Sequence, residues 1–174
     1  PNRLQYKGDV QYHNLDVAAL TENPQLKSNL NGTLHIDGHG ISLDDLLTTL
    51  DVKLDSSMLA GRQIGKTQLK IDAADHKLTA SSILALGSMR TTLNAVLDQR
   101  DKENPLFSFG GNVASLNLEE LLQEPSSNSD LNFAVTAHGS GLTWGTLNGE
   151  FLLNLEPSRY REYRIDSSDV RGMV

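Results

Sequence analysis

The second half of this chain repeats the first. Displaced by 101 positions, Leu15 falls on Leu116, Leu20 on Leu121, Pro24 on Pro125 and Ser28 on Ser129. The register continues without a gap through Leu30/Leu131, Asn31/Asn132, Gly38/Gly139, Gly40/Gly141, Leu46/Leu147, Leu54/Leu155, Ser57/Ser158 and Ile64/Ile165, giving 12 identities between residues 15 and 64. Most are leucine or glycine, so what repeats is architecture rather than a reactive group. Repetition at a fixed period implies a stacked array whose units bury their apolar faces only against their neighbours. The units are expected at 1–104 and 105–174, the second truncated, because Val174 is the equivalent of Ala73. Opening at Pro1 with no Met and stopping part-way through a repeat, the chain is expected to be a piece of a longer protein.

Within each unit the apolar spacing is that of strands. Leu30, Gly32, Leu34, Ile36 and Gly38 alternate with Asn31, Thr33, His35 and Asp37, and Thr48, Leu50, Val52 and Leu54 with Thr49, Asp51, Lys53 and Asp55. The same holds for Thr67 to Ala73, Met89 to Asp98 and Leu131 to His138. Period-two alternation describes antiparallel strands with one wet and one dry face. Turn signals separate the runs at 38–40, 74–76, 86–88 and 101–105. Only 15–22 and 116–122 look helical, with Asn14 and Ser115 placed to cap them and Pro24 and Pro125 beyond their ends. Each follows a glycine-led strand, at Gly8 and Gly111, where the second copy is two residues shorter. The fold class expected is all-β with short helices: an elongated, curved antiparallel sheet forming a groove built from repeats.

The dry face is aliphatic and small, since aromatic residues make up 5% of the chain. A compact two-sheet sandwich fills its centre with more bulk. The alternation puts Leu34, Ile36, Leu50, Val52, Leu54, Leu69, Ile71, Leu93, Phe133, Val135, Phe151, Leu153 and Leu155 on that face as candidates to line a groove for apolar cargo. Facing leucines that simply fill the space between layers use the same alternation, so both readings stand at this point.

Charge and composition exclude several classes. A net charge of −7 with no Lys/Arg cluster disfavours nucleic acid, whose binders draw affinity from neutralised phosphates. With no cysteine there are no disulfides and no thiolate metal sites. No signal peptide or apolar span of membrane length is present, so any anchor is expected outside this segment. The run from Ala60 to Thr67 comes within one residue of a phosphate-binding P-loop, but it leads into an alternating strand where that motif must open a helix. His35, Asp37 and His39 share the wet face, where a solvated polar surface accounts for them better than a metal site. The adjacent pairs Asp44/Asp45 and Glu119/Glu120 point in different directions rather than sharing a proton. There is no Gly-x-Ser-x-Gly elbow. No catalytic residue, metal or cofactor is expected.

A glycine-led strand, an N-L-[DN]-[LV]-x-x-L segment, a strand ending G-x-G and a leucine-spaced run into another alternating strand together resemble the AsmA/TamB superfamily. The residues that carry the likeness are Gly8, Asn14 to Leu20, Leu30 to Gly40, Leu46 to Ser57 and Gly61 to Ile64, recurring at Gly111, Leu116 to Leu122, Leu131 to Gly141 and Leu147 to Ser158. The sequence departs from the first copy where 156–162 replaces 55–61. The resemblance implies a periplasmic segment of a long envelope protein anchored in the inner membrane by a helix elsewhere, its strands curled into a taco-like groove with an apolar interior. It implies roles in phospholipid transport or outer-membrane protein assembly, with phospholipid or an apolar β-segment as cargo and an outer-membrane barrel of the TamA type as partner. It brings no catalytic residues. A cargo-free scaffold spanning the periplasm and an adhesin or passenger fragment are the alternatives. The leucine-rich dry face and the 101-residue period count against the passenger.

Overall fold

The computed structural model describes residues 4–42 and 45–174. Among the described residues strand accounts for 64% and helix, two short 3-10 turns included, for 9%, in one large curved sheet of 14 mostly antiparallel strands, so the all-β groove expected from the alternation is the fold. Ten strands follow one another across it by direct pairing: β1 (Gln5–Leu15), β2 (Ser28–His39), β3 (Leu47–Leu54), β6 (Thr67–Ala74), β7 (Lys77–Leu86), β8 (Met89–Asp98), β9 (Leu106–Leu116), β10 (Ser129–Ser140), β11 (Asn148–Leu155) and β14 (Ser168–Met173). At ~4.8 Å per strand the sheet runs about 43 Å in its hydrogen-bonding direction. Two small hairpins, β4 (Ser57–Leu59) with β5 (Arg62–Ile64) and β12 (Ser158–Tyr160) with β13 (Tyr163–Ile165), pair with the first residues of β2 and β10. The sheet crosses the expected unit boundary unbroken, because β8 and β9 pair from Arg90↔Ala114 to Asp98↔Leu106.

The repeat extends to the backbone. Left-handed residues fall in pairs 101 apart even where the residue types differ: Asn14 and Ser115 (φ 53° and 54°), Glu22 and Gln123 (54° and 59°), Ala60 and Arg161 (50° and 54°), Gly40 and Gly141 (80° and 78°). At Gly40 and Gly141 a Cβ would meet the carbonyl oxygens of Asp45 and Thr146 at 2.3 and 2.0 Å, which is why these two turns keep glycine.

Three expectations are corrected. The helices are α1 (Val17–Thr21) and α2 (Leu118–Leu122), and their caps are Asp16 and Asn117, not Asn14 and Ser115. The strand before each helix persists to Leu15 or Leu116 through a bulge at 13–14 or 114–115. Asn14 and Ser115 are bulge residues, and Asn31 Oδ1 and Asn132 Oδ1 accept their N–H groups at 3.0 and 2.8 Å. The two-residue gap does not exist either. Strands β1 and β9 are 11 residues each and offset by 101 throughout, so Gly8 is equivalent to Phe109 and Gly111 to Val10. The departure at 156–162 likewise leaves the strands in place, with β12 and β13 falling at the positions of β4 and β5.

Three polar side chains per unit hold these turns, and the second unit reproduces each contact. Asp16 Oδ1 accepts the N–H groups of Ala18 (3.1 Å) and Ser28 (2.9 Å), and Ser28 Oγ accepts Val17 N–H at 2.7 Å. Asn117 and Ser129 do the same for Glu119, Ser129 and Leu118, at 3.0, 3.4 and 2.7 Å. Ser57 Oγ and Ser158 Oγ then accept Asn31 and Asn132 N–H at 2.9 and 2.8 Å. The conserved-in-place serines and asparagines of the two copies are therefore the fasteners of the fold.

The sheet encloses no closed core. Among the described residues the buried apolar side chains are Ile64, Ala73, Ala85 and Pro105. The accessible surface is 11538 Å². A compact monomer of this mass exposes about 8,400 Å², so roughly 3,100 Å² of extra surface stays open. That excess is in keeping with an extended sheet that leaves much of its surface uncovered.

Candidate functional site

Directly paired residues of an antiparallel sheet project to the same side, so the register assigns every side chain a face. One row across all ten strands reads Gly8, Ile36, Leu50, Ile71, Ala80, Ala95, Phe109, Ala137, Phe151, Gly172. It contains no polar side-chain atom. The next row on that face reads Val10, Leu34, Val52, Leu69, Ser82, Leu93, Gly111, Val135, Leu153, Val170, with one hydroxyl in ten positions. Leu54, Phe133 and Leu155 lie one row further along. The structure thus brings all thirteen sequence-derived positions onto a single face. Most are half-buried.

The opposite face is a polar ladder. Lys7 Nζ donates to Asp37 Oδ2 at 2.7 Å, and His35 Nδ1 lies 2.6 Å from Asp9 Oδ1. Gln68 Nε2 donates to Asp51 Oδ1 at 2.8 Å, Thr49 Oγ1 to Asp72 Oδ1 at 3.0 Å, and His138 Nε2 meets Glu150 Oε1 at 2.8 Å. The hydrogen bond with Lys7 holds the Asp37 carboxyl below the usual range, and the amide of Gln68 does the same for Asp51. Such exposed cross-strand pairs help to fix register without making a site.

The chemistry-like motifs resolve into scaffolding. The run from Ala60 to Thr67 is the β4–β5 turn followed by strand, with Ala60 and Gly61 both left-handed (φ 50° and 77°) as a two-residue hairpin turn requires. Asp37 of the His35–Asp37–His39 trio is taken by Lys7, and no trio of His, Asp or Glu converges as a metal site among the described residues. A cleft of about 850 Å³ opens beside this trio, at the rim of β1, β2, β3 and β6. Glu119 and Glu120 diverge: Glu119 accepts from Asn128 at 3.0 Å, while Glu120 accepts from Ser88 Oγ at 3.1 Å. Asp44 lies outside the described residues.

Sequence reasoning missed part of the dry face. Leu78 and Leu84 of β7, and Phe107, Phe109 and Val113 of β9, share it with the thirteen. Ser81-Ser82 breaks the alternation of β7 by eye, and Gly110-Gly111 does so in β9. Carrying the 101-residue offset back to Gln5–Leu15 exposes β9 as a strand. Comparison with protein-family models, with curated proteins and with solved structures finds no match.

Proposed function

We propose that this chain is a groove segment of a cell-envelope protein of the AsmA/TamB kind, holding apolar cargo and performing no chemistry. The observation that supports this most is the row from Gly8 to Gly172: ten strands with no polar side-chain atom, on one face of a curved sheet with few fully buried apolar side chains. A surface of that kind favours apolar area at ~25 cal/mol per Å² buried and offers almost nothing to orient a headgroup. The cargo is a phospholipid acyl chain or an apolar β-segment, bound with little selectivity. In this reading the segment sits in the periplasm, its anchor lies in a part of the protein outside this chain, and an outer-membrane barrel receives the cargo. No described helix is long and apolar enough to cross a membrane.

A photocrosslinker at Leu50 or Leu54 in the full-length protein, in cells, is expected to capture lipid, and one at Thr49 on the wet face to capture none. Leu50→Asp is expected to obstruct the groove, because an unpaired polar group in apolar surroundings costs roughly 2–7 kcal/mol and a charge more. If the crosslinks yield no lipid and folded Leu50→Asp protein keeps the envelope intact, the segment is a spacer.

A further inference from the structure

The dry face sets glycines directly opposite its largest side chains. Gly111 pairs with Leu93, Gly139 with Phe107 and Gly172 with Phe151. A Cβ added to Gly111 would lie 2.5 Å from Leu93 Cδ2, one on Gly139 2.9 Å from Phe107 Cζ, and one on Gly172 2.1 Å from Phe151 Cε1. Each large side chain therefore lies over its neighbour's Cα, along the row and not across the groove. Side chains on a strand by default stand roughly perpendicular to the sheet. Lying down is open to them here because the facing residue has no Cβ, the arrangement by which an aromatic ring covers a strand glycine.

The geometry points to Phe151 and Gly172 as a pair that sets the clear height of the groove over β11 and β14. With glycine beneath it the ring floors the groove, presenting its thickness to the cargo, and 41% of the residue remains exposed. With a methyl beneath it the ring has to rise into the space the cargo occupies. Gly172 is the cleanest place to examine this, since the nearest atoms to its added Cβ are all in the Phe151 ring, whereas at Gly139 the backbone oxygen of Asn148 is met first, at 2.2 Å. This assignment rests on the cargo reading above.

The test uses the 174-residue chain and a fluorescent phosphatidylcholine as probe. Gly172→Ala is expected to weaken probe binding about tenfold, equal to ~1.4 kcal/mol, with unchanged circular dichroism. Phe151→Ala combined with Gly172→Ala is expected to restore binding, because no ring is left to lift. Independently of any cargo, the α protons of Gly172 should show the upfield shift of nuclei beneath an aromatic ring and lose it in Phe151→Ala. Unshifted α protons, a folded Gly172→Ala that binds like wild type, or a double variant as weak as Gly172→Ala would each overturn the assignment. A wild-type chain whose Gly172 protons are shifted but which binds no probe removes phospholipid as the cargo, and the clearance role for it, while the ring-over-glycine geometry stands.

Discussion

Replacing Ser57 by alanine removes one oxygen at the point where β2, β3 and the β4–β5 hairpin are tied together. Ser57 is 1% exposed, the most deeply buried polar side chain among the described residues. Its Oγ accepts Asn31 N–H at 2.9 Å, and its single proton is shared between the carbonyl oxygens of Asn31 (3.2 Å) and Asp55 (3.0 Å). Asn31 O keeps a second donor in Asp55 N–H at 2.9 Å, so the main loss is the acceptor for Asn31 N–H. A buried donor left without an acceptor costs ~1–3 kcal/mol. For a domain of this size each kcal/mol moves the midpoint by ~2–4 °C, so the melting temperature of Ser57→Ala is expected to fall by roughly 2–12 °C. The second unit supplies an internal control. Ser158 makes the corresponding bond to Asn132 N–H at 2.8 Å but is only half-buried, so water can replace its hydroxyl and Ser158→Ala is expected to cost clearly less. Thermal melts followed by circular dichroism decide it. Equal melting of Ser57→Ala and wild type, or a larger loss for Ser158→Ala, would refute the view that buried side-chain fasteners, rather than a core, hold each unit.

Two further outcomes follow from the geometry. Gly32→Ala puts a Cβ 2.0 Å from the Lys53 carbonyl oxygen, backbone that cannot swing aside, and should lose about 1–3 kcal/mol or more in denaturant titration, whereas Gly61→Ala meets no atom within 4 Å and should cost only the turn's strain, ~1 kcal/mol. Asp98 is held down to about 2 from its ordinary 3.8, chiefly by the side-chain hydrogen bond from Arg100. A carboxyl depressed in the folded state adds stability that is complete above its unfolded pKa and lost as pH falls through the folded one. The stability gap between wild type and Asp98→Asn should therefore stay constant above about pH 5 and close between roughly pH 4 and pH 2, as followed by acid unfolding.

How much of this was legible in the sequence depended on whether side chains or backbone carried the signal. Alternation over Thr48–Leu54 and Thr67–Ala73 names its own face, and the pairing of Leu50 with Ile71 and Val52 with Leu69 matches that parity with no bulge between them. The 101-residue offset likewise announces the equivalent helices. It hid the caps, because Asn14 and Asp16 are both good capping residues and only the bulge at 13–14 determines which of them starts the helix. It also hid the fasteners: Ser28, Asn31 and Ser57 recur in both copies, yet nothing in their spacing says that they bond across 11 to 26 positions. Whether the dry face is open or filled was legible only as a hint in its low aromatic content. A filled sandwich and an open groove share one alternation.

The account stands or falls on whether the dry face takes up apolar cargo while the wet face does not. The chain has no cysteine, so single-cysteine variants at Leu50 and Ile71 on the dry face and at Thr49 and Lys70 on the other each carry a polarity-sensitive fluorophore at one defined place. On titration with phospholipid, the labels at 50 and 71 are expected to shift to the blue and those at 49 and 70 to stay unchanged. Equal responses from all four, or none from 50 and 71, would contradict the groove.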